Sequence, residues 1–236
     1  MTLQLHLAQK QFNHCFLPSR KLKRVDGEQC GRYYLMEGRD ERLFSITNVL
    51  SKTISNDGLI KWRQRVGNEK ANQITKAATT RGIAVHGYCE DYLLNKQIVV
   101  PEDSYENSNF NMFLQMKNVL DQQIDNIHGV EIPLYSQRLL IAGTPDCIAE
   151  YDGKLSIIDF KTAKNKSKII VDKLKKYLLQ CTAYSEMVKD LYDIEINNCV
   201  ILFALENGEI QVLSLPITDL ERSALAKLCA KFRTLI

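Results

Sequence analysis

The stretch GTPDCIAEYDGKLSIIDFKT, residues 143–162, decides the architecture of this chain. At its centre Asp152 and Gly153 supply the residue pair that a two-residue β-turn requires. A turn there fixes the register of the flanking strands: Tyr151 faces Lys154, Ala149 faces Ser156, and Asp146 faces Asp159. Facing side chains on one side of a sheet have Cβ atoms roughly 4.5–5.5 Å apart. Lys161, two residues beyond Asp159, emerges on that same side. Spacing alone gathers two carboxylates and an amine around one point. Most D-x-K triplets are salt-bridge clusters at a sheet end. Here Ile148, Ile157, Ile158 and Phe160 make both faces apolar, the mark of a central, covered strand where charge is costly. Two carboxylates in such a place repel each other unless a cation lies between them.

The donor types select the cation. Carboxylate oxygens suit Mg²⁺ or Mn²⁺, which activate water and neutralise charge developing on a phosphodiester. A neighbouring ammonium can orient the attacking water. The sequence contains no G-x-x-x-x-G-K-[ST] phosphate loop and offers no Ser–His–Asp set.

Working outward, Lys161, Lys164, Lys166, Lys168, Lys173, Lys175 and Lys176 follow with Asp172 as the one acid among them. Such a run is ordinarily a solvated helix face; beside paired acids it reads as a field for phosphate contacts. A helix over about 171–189 carries Gln180 and Tyr184 at i, i+4. A hairpin over about 199–215 turns at Asn207 and Gly208, and Thr218 with Glu221 forms a capping box for a closing helix to about Thr234. Upstream, Tyr33, Tyr34 and Leu35, then Phe44 and Ile46, suggest a strand pair around a turn at 38–40. From Ser45 to about Asn95 the pattern is helical. Ser45 caps one helix, Asn56 or Asp57 the next, a third covers about 68–80, and a fourth starts near Gly82 with Val85, His86, Cys89, Tyr92 and Leu93. Another helix is expected over 110–127, and strands over 130–136 and 139–161.

Composition narrows the class. The chain has 236 residues, 45% hydrophobic and 25% charged, with a net charge of +3. That is ordinary for one domain with a helical elaboration, read here as segments 1–44, 45–128 and 129–236. No apolar run approaches the ~20 residues that cross a bilayer, so no membrane association is expected. The seven cysteines are scattered without a C-x-x-C spacing, which speaks against a zinc knuckle or an iron–sulfur cluster and for buried thiols in the cytosol. The N-terminus lacks a secretory apolar block; its lack of acids before Asp26 keeps a mitochondrial presequence as the lesser alternative.

Taken in order, Gly143 to Asp146, then Asp159-Phe160-Lys161, then Gln180 and Tyr184 resemble the G-x-x-D, D-x-K and Q-x-x-x-Y signature of RecB-like PD-(D/E)xK nucleases. Gly82, His86 and Glu90 resemble the helical G-x-x-x-H-x-x-x-E element of the same group. Residues 45–50 and Lys61-Trp62-Arg63 are similar to the entry region of its mitochondrial genome maintenance exonucleases and their phage relatives. The resemblance covers roughly residues 33–215. It implies an α/β (α+β) fold with a restriction-endonuclease-like core, a central mixed sheet flanked by helices, and an N-terminal helical elaboration carrying His86.

The resemblance also implies roles. Asp146, Asp159 and the Phe160 main-chain carbonyl would bind Mg²⁺ or Mn²⁺, and Lys161 would serve the nucleophilic water. Read alone, His86 is a core histidine bonded to a carbonyl; the motif match makes it a metal ligand. Glu90 would hold a second layer of ligands or pair with a base. Gln180 and Tyr184 would help position the DNA backbone, and Lys164, Lys166, Lys168, Lys173 and Trp62, by their placement rather than the resemblance, are read as further DNA contacts. Many members carry Glu where Asp159 stands. The expected function is a DNA exonuclease acting on single-stranded or frayed ends, working with replication or recombination proteins in repair or phage DNA metabolism. Trp62, Tyr88 or Tyr92 are candidate stacking platforms under a helical arch. A structure-selective endonuclease and an inactive nucleic-acid binder are the alternatives.

Overall fold

The computed structural model describes residues 7–28, 30–104, 106–164 and 171–236. Three antiparallel strands open the fold: β1 (Leu22–Gly27), β2 (Gly31–Met36) and β3 (Arg42–Ser45). Helices α1 (Ile46–Thr53), α2 (Asp57–Val66), α3 (Asn68–Leu93) and α4 (Ser108–Gln123) follow. The chain then forms β4 (Ile124–Val130), β5 (Leu134–Ser136), β6 (Ile141–Gly143), β7 (Cys147–Tyr151) and β8 (Lys154–Ala163). It closes with α5 (Val171–Tyr192), β9 (Asn198–Leu205), β10 (Ile210–Pro216) and α6 (Asp219–Arg233).

The strands make two mixed five-stranded sheets, ordered β1-β2-β3-β6-β5 and β10-β9-β8-β7-β4. In the second sheet β8 runs parallel to β9, and the other pairs are antiparallel. Its two faces carry separate cores, as an unbroken apolar run such as that of β9 requires. On one face Ile148, Ile157, Ile201 and Phe203 pack with Tyr184, Met187 and Val188 of α5. On the other, Ile158, Phe160, Val200 and Leu202 pack with Val85 and Tyr92 of α3 and Phe110 and Phe113 of α4. β8 therefore lies between helices on both sides, and Asp159 at its middle is buried.

The hairpin expected at residues 152–153 forms in the expected register. Asp152 and Gly153 have φ of 48° and 71°, and Tyr151 pairs with Lys154 and Ala149 with Ser156. The α/β class, the mixed sheet flanked by helices and the helical N-terminal elaboration are all present, although β1 and a second sheet were not foreseen. The closing capping box is formed, with Thr218 and Glu221 bonding reciprocally.

Other boundaries differ. The helices expected on either side of Gly82 are one 26-residue helix, α3. A single glycine costs a helix only about 1 kcal/mol, and Arg81 beside it is tied down at 3.2 Å from its Nε to Thr162 Oγ1 on β8. The helix expected to reach residue 127 stops at Gln123, because Ile124 and Ile127 pair with Tyr151 and Ala149 of β7. Residues 130–136 are not one strand: Glu131 has φ of 48°, which breaks the run. Ser45 makes no side-chain cap; its hydroxyl meets Thr47 Oγ1 at 2.9 Å instead. Among the described residues no helix is long and apolar enough to cross a membrane, and all seven cysteines are free.

Candidate active site

The hairpin register explains the centre of the site. The ladder ends at Cys147 with Ile158, so the expected pairing of Asp146 with Asp159 falls one step past it and is not part of the ladder. In a two-residue hairpin the hydrogen-bonded pairs fall at alternate positions, so residues 145 and 160 would form the next one. Pro145 has no N–H to give, and the Phe160 carbonyl loses its ladder donor. The Phe160 N–H is taken by the Asp146 side chain instead, 2.6 Å from its Oδ2. Proline thus ends the strand pair where a carboxylate and a main-chain carbonyl become available together.

The other Asp146 oxygen faces His86 Nδ1 at 3.3 Å. His86 projects from the last third of α3, with its ring edge-on to Phe160 at 6.0 Å between centroids. Burial works against the His86 imidazolium, yet the Asp146 carboxylate outweighs it and holds the histidine pKa above its ordinary value. Burial likewise opposes the Asp146 anion, but His86, Lys161 and the Phe160 N–H together hold its pKa below the usual carboxylate range.

Asp159 has the opposite balance. Its side chain is only 3% exposed, and burial first, with the Asp146 charge adding to it, pushes its pKa up to about 6 against the attraction of Lys161. Asp159 Oδ2 lies against the Lys161 ammonium but receives no well-formed hydrogen bond. A buried carboxylate oxygen left in that condition is costly in a protein interior, and a hard cation would satisfy it. Lys161 Nζ also donates to the Phe160 carbonyl at 3.2 Å and sits 5.0 Å from the centre of the Tyr177 ring.

Glu131 completes the cluster, and sequence reasoning missed it. Among the described residues, His86, Glu131 and Asp146 bring one ligand atom each within 4.8 Å of one another. Desolvation, then the charges of Asp146 and Glu90, push the Glu131 carboxyl up to about 7 although the residue is exposed. The left-handed turn that sets it beside Asp146, anchored by its N–H on the Asp146 carbonyl at 3.3 Å, leaves no mark in the sequence beyond an acid after a strand. Glu90, one helical turn after His86, contributes its charge to Glu131; among the described residues it forms no ion pair. The donor set is nitrogen and oxygen, without thiolate, and fits a hard divalent ion. His86, Glu131 and Asp146 are the clustered groups that could hold one; Asp159, expected to be a ligand, is not among them and is paired with Lys161 instead.

Gln180 and Tyr184 stand on the α5 face that approaches the same strand end, with Gln180 Nε2 donating to the Tyr184 hydroxyl at 3.0 Å. Gly143 permits this approach: a Cβ there would lie 2.8 Å from Tyr184 Cε1 and 3.1 Å from Ile46 Cγ2. Lys164 and Lys173 are exposed, whereas Lys166 and Lys168 lie outside the described residues. Trp62 is half-buried on α2, a helix with no buried residue. Tyr92 does not serve as a stacking platform, and Tyr88 is half-buried. Tyr92 is fully buried and bonds Asp121, and Tyr88 is stacked on Phe113 at 5.4 Å and edge-on to Phe110. Their rings hold α3 to α4.

No family model matches the sequence. The chain is 25% identical over 173 residues to human mitochondrial genome maintenance exonuclease 1, covering 70% of this chain and 49% of that protein. It is 27% identical over the same length to the Xenopus tropicalis protein of that name, with the same coverage. The chain thus spans about half the length of the curated relatives it matches. Among solved structures, an exonuclease candidate from Eubacterium rectale aligns over 66% of each chain with a TM-score of 0.44 and 14% identity.

Proposed function

We propose that this chain is a Mg²⁺- or Mn²⁺-dependent nuclease of the PD-(D/E)xK type that hydrolyses DNA from an end. The observation that carries the reading is the convergence, at one end of β8, of His86, Glu131 and Asp146 beside the buried ion pair of Asp159 with Lys161. Its sequence relatives named as exonucleases support the same class. A divalent ion held there supplies charge neutralisation at the phosphodiester and a more acidic water. The chain's own groups do the rest. Lys161 holds the attacking water toward phosphorus and offsets charge on the pentacovalent state. The water oxygen bonds to phosphorus and gives up a proton to solvent, one P–O ester bond breaks, and the departing oxygen takes up a proton from solvent. Gln180 holds the backbone of the substrate, and Tyr184, buried in the core behind it, orients Gln180 by accepting its Nε2 hydrogen bond.

The preference for single strands is supported by the arm that α2 makes with the first half of α3. Leu59, Ile60 and Ile74 are exposed on it beside Trp62, Lys61, Arg63 and Arg65. Apolar and aromatic groups among cations suit unpaired bases and their phosphates, and α3 runs unbroken from this arm to His86. A cytoplasmic setting alongside replication or recombination proteins belongs to the same reading, in keeping with seven free thiols.

Labelled linear and covalently closed single strands, incubated with Mg²⁺, Mn²⁺ or EDTA, test the proposal. Cation-dependent mononucleotides or short oligonucleotides from linear strands alone are expected. Equal cutting of circles would make the protein an endonuclease, and no EDTA-sensitive product at all would make it a binder. Exchanging Lys164 and Lys173 for Gln should reduce the slope of log affinity against log salt by about one to two.

A further inference from the structure

We propose that Tyr177 positions Lys161 for the reaction by holding its ammonium against the π-face of the ring. The inference rests on the nuclease reading above. Among the described residues, Lys161 Nζ has three direct partners: the Asp159 carboxylate, the Phe160 carbonyl oxygen at 3.2 Å, and the Tyr177 ring centred 5.0 Å away. Under the nuclease reading the first two are oxygens that a divalent cation would occupy. Once committed to a dication they are poor partners for an ammonium, and the ion repels that ammonium directly. The Tyr177 ring is the neighbour whose contact with Lys161 uses no such oxygen. It therefore keeps the ammonium beside the reaction centre at the stage when its resting partners are spent.

The ring is built to stay in place. Tyr177 lies three residues before Gln180 and seven before Tyr184, so one face of α5 presents all three toward the end of β8. The ring also packs on Phe203 of β9, with centroids 6.0 Å apart at 57°. The Lys161 side chain is 20% exposed, and a cation over an aromatic face is held more strongly where water is scarce. The contact needs the ring and not the phenol.

Tyr177→Leu removes the π-face while keeping apolar bulk, and Tyr177→Phe keeps the face. The Leu variant is expected to lose kcat by about ten-fold, with KM for a linear single strand and the thermal midpoint in EDTA near those of the wild type. The Phe variant is expected to restore kcat to within about three-fold. A second readout is the ring-current shift of the Lys161 ε-methylene signals in lysine-labelled protein. That shift should persist when Mg²⁺ is added to the wild type and the Phe variant, and vanish in the Leu variant. Should Tyr177→Leu fail to fold, Tyr177→Met takes its place. A Leu variant with wild-type kcat, or methylene signals that leave their shifted position on adding Mg²⁺, overturns the inference alone. Wild-type protein that cleaves nothing overturns the nuclease reading and the catalytic role of Tyr177 together.

Discussion

The Phe160 N–H donates to Asp146 Oδ2 at 2.6 Å, at the position where Pro145 ends the strand pair. Asp146 is therefore both a candidate ligand and the cap of a buried main-chain donor. Asp146→Ala should abolish cleavage and also destabilise the metal-free fold, by about 1–3 kcal/mol for the orphaned N–H. Thermal unfolding in EDTA measures the second effect. An unchanged midpoint would show that the cap carries no weight.

Asp159→Asn should behave differently. The wild-type carboxyl is buried at a cost, which is why its pKa rises to about 6, so replacing its charge relieves strain in the absence of a cation. Cleavage should vanish while the midpoint in EDTA at pH 8 holds or rises. A variant with near-normal cleavage would remove Asp159 from the centre.

The hairpin was legible because turn chemistry and period-2 alternation are local: once residues 152 and 153 turn, Asp146, Asp159 and Lys161 have one arrangement. The capping box at Thr218 was legible for the same reason. Glu131 was not. Its place beside Asp146 depends on a left-handed residue and on a main-chain bond to Asp146, neither of which a strand-like run of residues discloses. Tyr92 failed as a surface aromatic because periodicity places it on a buried face only once α4 is known to cover it. The union of two helices across Gly82 was hidden because the ties that hold Arg81, to Thr162 and Glu206, come from distant strands and their turn.

Glu131→Gln tests the residue that spacing did not reveal. With one of three clustered ligands neutralised, the Mg²⁺ concentration for half-maximal cleavage should rise by about ten-fold or more. Glu90→Gln should shift it less, since Glu90 acts on the cluster through its charge. Equal responses from both would argue that Glu131 is no closer to the ion than Glu90.

The carboxyls also set a pH signature. Asp159 and Glu131 hold their protons up to about 6 and about 7 in the fold, against ordinary values of 3.8 and 4.5. Each binds its proton more tightly folded than unfolded, so the metal-free protein loses stability as pH rises through those windows. A raised His86 pKa acts in the same direction. A divalent ion needs the deprotonated groups, so the rise in midpoint on adding Mg²⁺ should be small at pH 5 and grow toward pH 8. Scanning fluorimetry with Mg²⁺ and with EDTA reads the difference, and a pH-independent shift would place the ion elsewhere.

Gly143→Ala tests the packing that brings α5 to the site. The new methyl would sit 2.8 Å from Tyr184 Cε1 and 3.1 Å from Ile46 Cγ2, too close on both sides for either neighbour to yield freely in a dense core. Overpacking of this kind costs about 1–3 kcal/mol. Because the Tyr184 ring must move, Gln180 loses its acceptor at 3.0 Å, and substrate binding should weaken along with stability. The expected result is a lowered thermal midpoint together with a raised KM for single-stranded DNA. A further exchange, Tyr184→Phe, should leave the midpoint closer to that of the wild type, since it removes only the hydroxyl, while still raising KM. If Gly143→Ala lowers the midpoint and KM stays fixed, Tyr184 supports the fold without orienting Gln180 for the substrate.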